Sequence, residues 1–252
     1  MRQNIVISGP KGRISAIIDR PEIPDGQKCP VAILMHGLMA NRKLEPLKSI
    51  AARLEALGIA AVRFDFDGHG RSDGKFCEMT VETELADAMA VYEYVRGLDF
   101  AGEIALVGHS QGGVVAGMTA GKLGSDKIRC VVQLAAAAVL RDDALNGVLM
   151  GKHYDPSNPP EHLRVLFHKV GRCYFTVART LPIFETSAAY DGPVCLIHGR
   201  EDSIVPFSYS ERYHEVYRDS ELHLLDGENH FLSKRRPEVI SLTVDFLVKN
   251  LL

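Results

Sequence analysis

The sequence predicts an α/β fold, a mostly parallel central sheet with helices on both faces, carried by one domain of 252 residues. Three observations point to it. Apolar runs of strand length recur at Val31–Met35, Ile59–Phe64, Ile104–Val107, Ile128–Leu134, Val194–Ile197 and Leu222–Leu225. Stretches with apolar residues at helical spacing lie between most of them. The central runs also lack the alternation of a half-exposed strand, which marks strands covered on both faces.

Taken in order, the β-branched runs Ile5–Ser8 and Ile14–Asp19 flank Gly9-Pro10-Lys11-Gly12 and read as an opening hairpin. Val31–Met35 runs into His36-Gly37-Leu38 after a proline-rich loop. Leu44–Leu57 carries apolar residues at 47, 50, 51, 54 and 57 and closes at Gly58, so it reads as a helix. The loop Asp65–Gly74 has Asp73 where a dinucleotide fingerprint needs its third glycine, and turn geometry explains its Gly and Asp content. Val81–Arg96 is a helix with an acidic first turn that suits its dipole. After Ile128–Leu134 the rhythm breaks. Residues Val139–Ser187 show no sustained period, too long for an ordinary loop, and are expected to form an inserted cap after the sixth strand with short elements of its own. The rhythm returns at Val194, and Ser208–Tyr217 and Pro237–Leu251 read as helices.

Composition sets bounds. Hydrophobic residues at 46% and charged residues at 24% describe an ordinary globular chain, and the net charge of −3 is spread along the sequence. No concentrated basic tract suggests nucleic acid or an anionic membrane surface as partner, and no apolar run is long enough to span a bilayer. The five cysteines, 29, 77, 130, 173 and 195, are widely spaced with no Cys-x-x-Cys pair. A reducing, cytoplasmic location is therefore expected, as is the absence of a metal, since the histidines show no ligand spacing.

The chemistry is expected around Gly108-His109-Ser110-Gln111-Gly112. By chance Gly-x-Ser-x-Gly arises in roughly one chain in ten of this length. Here it stands between a buried strand and a helix, the context in which a serine is held at a sharp strained turn with its hydroxyl exposed. His36-Gly37, Asp202 and His230 also follow strand ends, and the order Ser, Asp, His is that of α/β-hydrolases. Ser110 is the expected nucleophile, His230 its general base and acid, and Asp202 the group that orients and stabilises the imidazolium. The backbone N–H groups of Leu38 and Gln111 would meet the oxyanion. His109 competes as base, although on the elbow it is expected to point away. Asp226 and Glu201 compete with Asp202, and His36 and His198 are expected to be structural.

The segments His36-Gly37 with Ala40-Asn41-Arg42, Arg63–Gly70, Ser72–Phe76, Gly108–Val115, Leu181-Pro182-Ile183 and Val194–Gly199 together resemble the bacterial feruloyl (cinnamoyl) esterases. The resemblance covers nearly the whole chain, the insert included. It implies hydrolysis of hydroxycinnamate esters, such as ferulate on plant-wall sugars or quinate, without a cofactor. It also implies that the insert holds the aromatic acid, with Asp143 and Tyr174 near the phenolic hydroxyl. Met150 stands where close relatives carry a glutamine that reaches the phenol, and a thioether cannot donate that hydrogen bond. A general short-chain carboxylesterase or thioesterase and a noncatalytic small-molecule receptor are the rival readings. A homodimer is compatible with all three.

Overall fold

In a computed structural model describing all residues Met1–Leu252, eight strands form one sheet in the order β1-β2-β4-β3-β5-β6-β11-β12. The opening hairpin is β1 (Arg2–Gly9) and β2 (Gly12–Asp19), antiparallel with Gly9 opposite Gly12. β2 also runs antiparallel to β4 (Ala60–Phe64). From there β3 (Cys29–Met35), β5 (Ala101–His109), β6 (Cys130–Leu134), β11 (Val194–Gly199) and β12 (Ser220–Leu225) are parallel.

Strand composition follows from two covered faces. Along β3, Val31, Ile33 and Met35 enter one apolar layer while Ala32 and Leu34 enter the other. The first layer packs against α2 (Val81–Arg96) and α3 (Gln111–Leu123), and the second against α1 (Leu47–Ala56) and α8 (Arg236–Leu251). The central strands bury nearly every residue, which is why they read as apolar runs. Helix α1 starts at Leu47, three residues later than its sequence pattern, because a residue preceding proline disfavours helical geometry and Pro46 stands there. Thr80 caps α2 by accepting from the Thr83 N–H at 3.1 Å, and the Thr83 side chain returns the bond at 3.0 Å.

Residues 139–187 contain α4 (Val139–Asn146), the small ribbons β7 (Val148–Leu149) with β8 (Lys152–His153) and β9 (His162–Val165) with β10 (His168–Gly171), then α5 (Arg172–Ala178) and α6 (Ile183–Ser187). Their shortness explains the missing period: no element reaches three full helical turns. Helix α7 (Ser208–Val216) bridges β11 and β12. No helix is long and apolar enough to cross a membrane, and all five cysteines are free thiols.

Because β3 leads to β4 on one side while β5 leads to β6 on the other, the crossovers diverge between β3 and β5. A crevice opens at such a point beyond the strand C-termini. His36 and Ser110 leave these two strands there.

Candidate active site

Ser110 occupies the turn between β5 and α3 with φ 57° and ψ −123°, a conformation costly for any residue with a Cβ. Its neighbours explain why the turn needs glycine. A Cβ on Gly108 would lie 2.1 Å from the Gly112 carbonyl oxygen, and one on Gly112 would lie 2.4 Å from the carbonyl oxygens of Met35 and His36. β3, β5 and α3 therefore approach to backbone contact, and the serine hydroxyl is driven outward into a pocket.

The three residues expected to act together do meet. His230 Nε2 lies 2.9 Å from Ser110 Oγ, and His230 Nδ1 lies 2.7 Å from Asp202 Oδ2. Asp202 has no exposed side-chain surface, and its Oδ1 accepts the N–H groups of Ile204 and Val205 at 2.8 Å each. Burial by itself would raise its pKa, but hydrogen bonds from His198 and His230 outweigh it and hold the carboxyl well below the usual carboxylate range. The competing acids lie elsewhere: Asp226 is paired with Arg200 on the surface and Glu201 with Lys234.

His109 does not point away. It lines the pocket, and its Nε2–H donates to the His230 carbonyl at 2.9 Å, so it supports His230 and does not compete with it. Burial, with the nearby His230, lowers its pKa to about 4. His36 is likewise structural: Nδ1–H donates to Gly37 O at 2.8 Å, and Nε2 accepts the Phe66 N–H at 3.1 Å. His198 donates from Nε2 to Asp202 Oδ2 (3.1 Å) and to Val205 O (3.0 Å), and Nδ1 accepts from the Ser210 hydroxyl.

The turn His36-Gly37-Leu38 packs against Ser110, since a Cβ on Gly37 would lie 2.8 Å from Ser110 Cβ. The Leu38 N–H donates to no protein acceptor. Gln111 opens α3, where the first N–H groups have no intrahelical partner. Both therefore remain available to a developing oxyanion. Buried Asp65 anchors this loop by accepting from the Arg42 N–H and guanidinium and from the Arg71 N–H.

The pocket has a volume of about 250 Å³. The 139–187 segment contributes Val139, Leu140, Asp143, Leu149, Met150, Leu166 and Tyr174 to its lining. Of these, only Asp143 and Tyr174 carry a strong hydrogen-bonding group. Asp143 is half-buried and its carboxylate accepts no hydrogen bond from the protein, and burial, reinforced by Asp142, pushes its pKa up to about 6. The Tyr174 hydroxyl donates to Gln111 Oε1 at 2.8 Å, while Gln111 Nε2 donates to Glu84 Oε2 at 2.9 Å. Its proton is thus committed, and its lone pairs remain for a donor in the pocket. Met150 sits at the rim, 39% exposed.

Sequence reasoning missed Glu84 and Glu228. Glu84 is fully buried with Oε1 unpartnered, and burial raises its pKa well above the carboxylate range. Glu228 Oε1 accepts the Asn229 and Lys234 N–H groups and Oε2 that of Arg235, which fixes the loop carrying His230. Both lie in polar stretches that resemble ordinary surface, so only their burial reveals them.

Residues 26–159 match the family model described as serine aminopeptidase, S33. The chain belongs to this α/β-hydrolase family. Among solved structures, the hydrolase is similar to Est1E from Butyrivibrio proteoclasticus with ferulic acid bound, at 30% identity and a TM-score of 0.93 over 98% of each chain. Among curated proteins it is similar to the mouse mitochondrial palmitoyl-protein thioesterase ABHD10, 23% identical over 94% of this chain and 83% of that one. It is also similar to human ABHD12B, 26% identical over 87% of this chain, though it spans only 61% of that protein's length. It is a serine hydrolase of the esterase type.

Proposed function

We propose that the hydrolase cleaves hydroxycinnamate esters of the ferulate type through an acyl-enzyme on Ser110. Asp143 carries this reading: an unpartnered carboxylate in a mostly apolar wall suits an acyl group that is flat and apolar along its length and ends in a hydroxyl donor. Tyr174, with its lone pairs free, supports the same donor. The similarity to a solved esterase with ferulic acid bound points the same way.

In this mechanism His230 Nε2 takes the Ser110 proton as Oγ attacks the ester carbonyl, and Asp202 stabilises the resulting imidazolium. The oxyanion accepts from the Leu38 and Gln111 N–H groups. His230 then returns the proton to the leaving alcohol oxygen, and a water activated by the same imidazole releases the acid. Residues 139–187 act as the cap that shapes the acyl pocket. Met150 supplies apolar contact at the rim, so the phenol is read by Asp143 and Tyr174 alone.

The test compares methyl ferulate, methyl cinnamate, p-nitrophenyl butyrate and a palmitoyl thioester. The expected order places ferulate first in kcat/KM. Rapid butyrate turnover without measurable ferulate hydrolysis overturns the reading. A thioesterase is the second reading, favoured by the similarity to a palmitoyl-protein thioesterase along 94% of the chain, and a dominant thioester rate would establish it. Labelling of Ser110 by an organophosphonate, read by mass spectrometry, separates both from a noncatalytic receptor.

A further inference from the structure

The tip of the β9–β10 hairpin is built against its own stability. Val165 pairs with His168, which leaves Leu166 and Phe167 as a two-residue loop. Leu166 has φ 51°, at the position where a hairpin of this kind prefers glycine. Yet both side chains are large, apolar and turned to solvent, Leu166 70% and Phe167 94% exposed. One step down the ribbon, Arg164 faces Lys169 directly across the strands, a like-charge pairing that destabilises a hairpin. Arg172 follows at the base, and residues 162–172 include no carboxylate. The ion pairs of the 139–187 segment are Arg141–Glu185 and His162–Glu161, so Arg164 and Lys169 form none, while Arg172 stands opposite Glu161, whose carbonyl accepts its N–H. An apolar tip in a strained turn above unpaired cations is complementary to something that is apolar within and anionic at its surface.

We propose that this hairpin docks the enzyme on an anionic lipid surface, with Leu166 and Phe167 entering the headgroup boundary and Arg164 and Lys169 facing lipid phosphates. The footprint favours lipid over a protein partner. A stable protein interface needs roughly 800 Å² on each side, far more than two residues on a narrow ribbon present. The pocket supports the orientation, because Leu166 lines its mouth together with Leu44, Met150 and Phe231, all exposed apolar side chains. Docking through the hairpin brings that mouth to the lipid surface, where an amphiphilic ester would be concentrated. The expectation of no membrane partner rested on the lack of a concentrated basic tract and of a spanning apolar run, and it passes over Arg164 and Lys169, which the hairpin register sets side by side behind the apolar tip.

The chain contains no tryptophan, so Phe167→Trp introduces a single reporter. Vesicles of phosphatidylcholine with about a third phosphatidylglycerol are expected to shift its emission to the blue and to sediment the wild-type protein at low salt. Binding should weaken at least tenfold as ionic strength rises toward 0.5 M, where screening shortens to about 4 Å. Phe167→Ser and the pair Arg164→Glu with Lys169→Glu should each reduce vesicle binding at least tenfold while leaving hydrolysis of a water-soluble ester unchanged. No sedimentation at low salt, equal binding to pure phosphatidylcholine, or undiminished binding of Phe167→Ser overturns the proposal. A protein partner in place of lipid would give the first of these results.

Discussion

Replacing Asp202 by Asn keeps shape and removes one charge, so it isolates what the carboxylate does for His230. In the protein, Asp202 Oδ1 accepts two backbone N–H groups and Oδ2 accepts one N–H from each of His198 and His230. An asparagine can keep its oxygen on the two backbone donors, but its NH₂ then faces two imidazole N–H groups. The favourable resolution turns His230 into the tautomer protonated on Nε2, which cannot accept the Ser110 proton. The charge matters as well. With 2.7 Å between His230 Nδ1 and Asp202 Oδ2, an imidazolium gains about 6 kcal/mol from the carboxylate at an effective dielectric of 20. The amide dipole and solvent recover part of this, leaving an expected loss in kcat of roughly 10⁴, as for the equivalent change in a serine protease. Steady-state hydrolysis of p-nitrophenyl butyrate measures it, with circular dichroism confirming the fold. A loss below tenfold, or a larger loss in Asp226→Asn than in Asp202→Asn, would refute the argument.

Ser110→Ala and His230→Ala should each lower kcat by several orders of magnitude, with Ser110→Ala also resisting organophosphonate labelling. Because the Asp143 carboxyl is raised to about 6, it becomes a charged acceptor only as pH climbs through that value. The ratio of ferulate to cinnamate kcat/KM should therefore rise roughly tenfold between pH 5 and 7, and Asp143→Asn should flatten the rise, since a hydrogen bond to a charged group contributes about 1.5–3 kcal/mol. Acid stability follows from His36 and His109, lowered to about 4, and His69, lowered to about 3, chiefly by burial. Each folded-state pKa lies below its unfolded value, so the stabilisation is complete above pH 6.5 and is lost as pH falls toward 4 and below. At on the order of 3 kcal/mol for each residue, the urea midpoint should drop steeply across that window, and an unchanged midpoint would contradict neutral burial.

The frame was readable because a parallel sheet leaves a one-dimensional trace: strands buried on both faces are mostly apolar, and positions 108 and 112 need glycine because a Cβ at either would lie within 2.5 Å of backbone atoms. Ser110, Asp202 and His230 follow the C-terminal ends of β5, β11 and β12 on one edge of the sheet, and that shared placement was visible in the strand order. The supporting groups were not. His109 occupies the variable position of the motif, and its role depends on a carbonyl 121 residues away. Glu84 lies in the first turn of α2, where a glutamate is expected simply for the helix dipole; only folding carries it to the Gln111 amide behind the nucleophile. The 139–187 segment resisted reading because ribbons of two to four residues per strand span at most two periods of strand alternation, too few to show as a pattern.

The histidines around Ser110 pose a further question: several imidazoles crowd the nucleophile, and the mechanism requires that one alone become charged. Burial supplies the answer. His36 and His109 are desolvated, so near neutral pH each works as a neutral polar spacer, one holding the Leu38 turn and the other the His230 backbone. A protonated His109, with its ring centroid 5.2 Å from that of His230, would oppose the imidazolium that forms when Ser110 gives up its proton. His198 spends its Nε2–H on Asp202 and Val205, which settles its tautomer and leaves it no position from which to reach Ser110. Of the two rings on the buried carboxylate, only that of His230 reaches Ser110. Adding a polar partner that stabilised charge on His109 should slow turnover without touching Ser110, His230 or Asp202, because it would remove the electrostatic vacancy on which proton transfer depends.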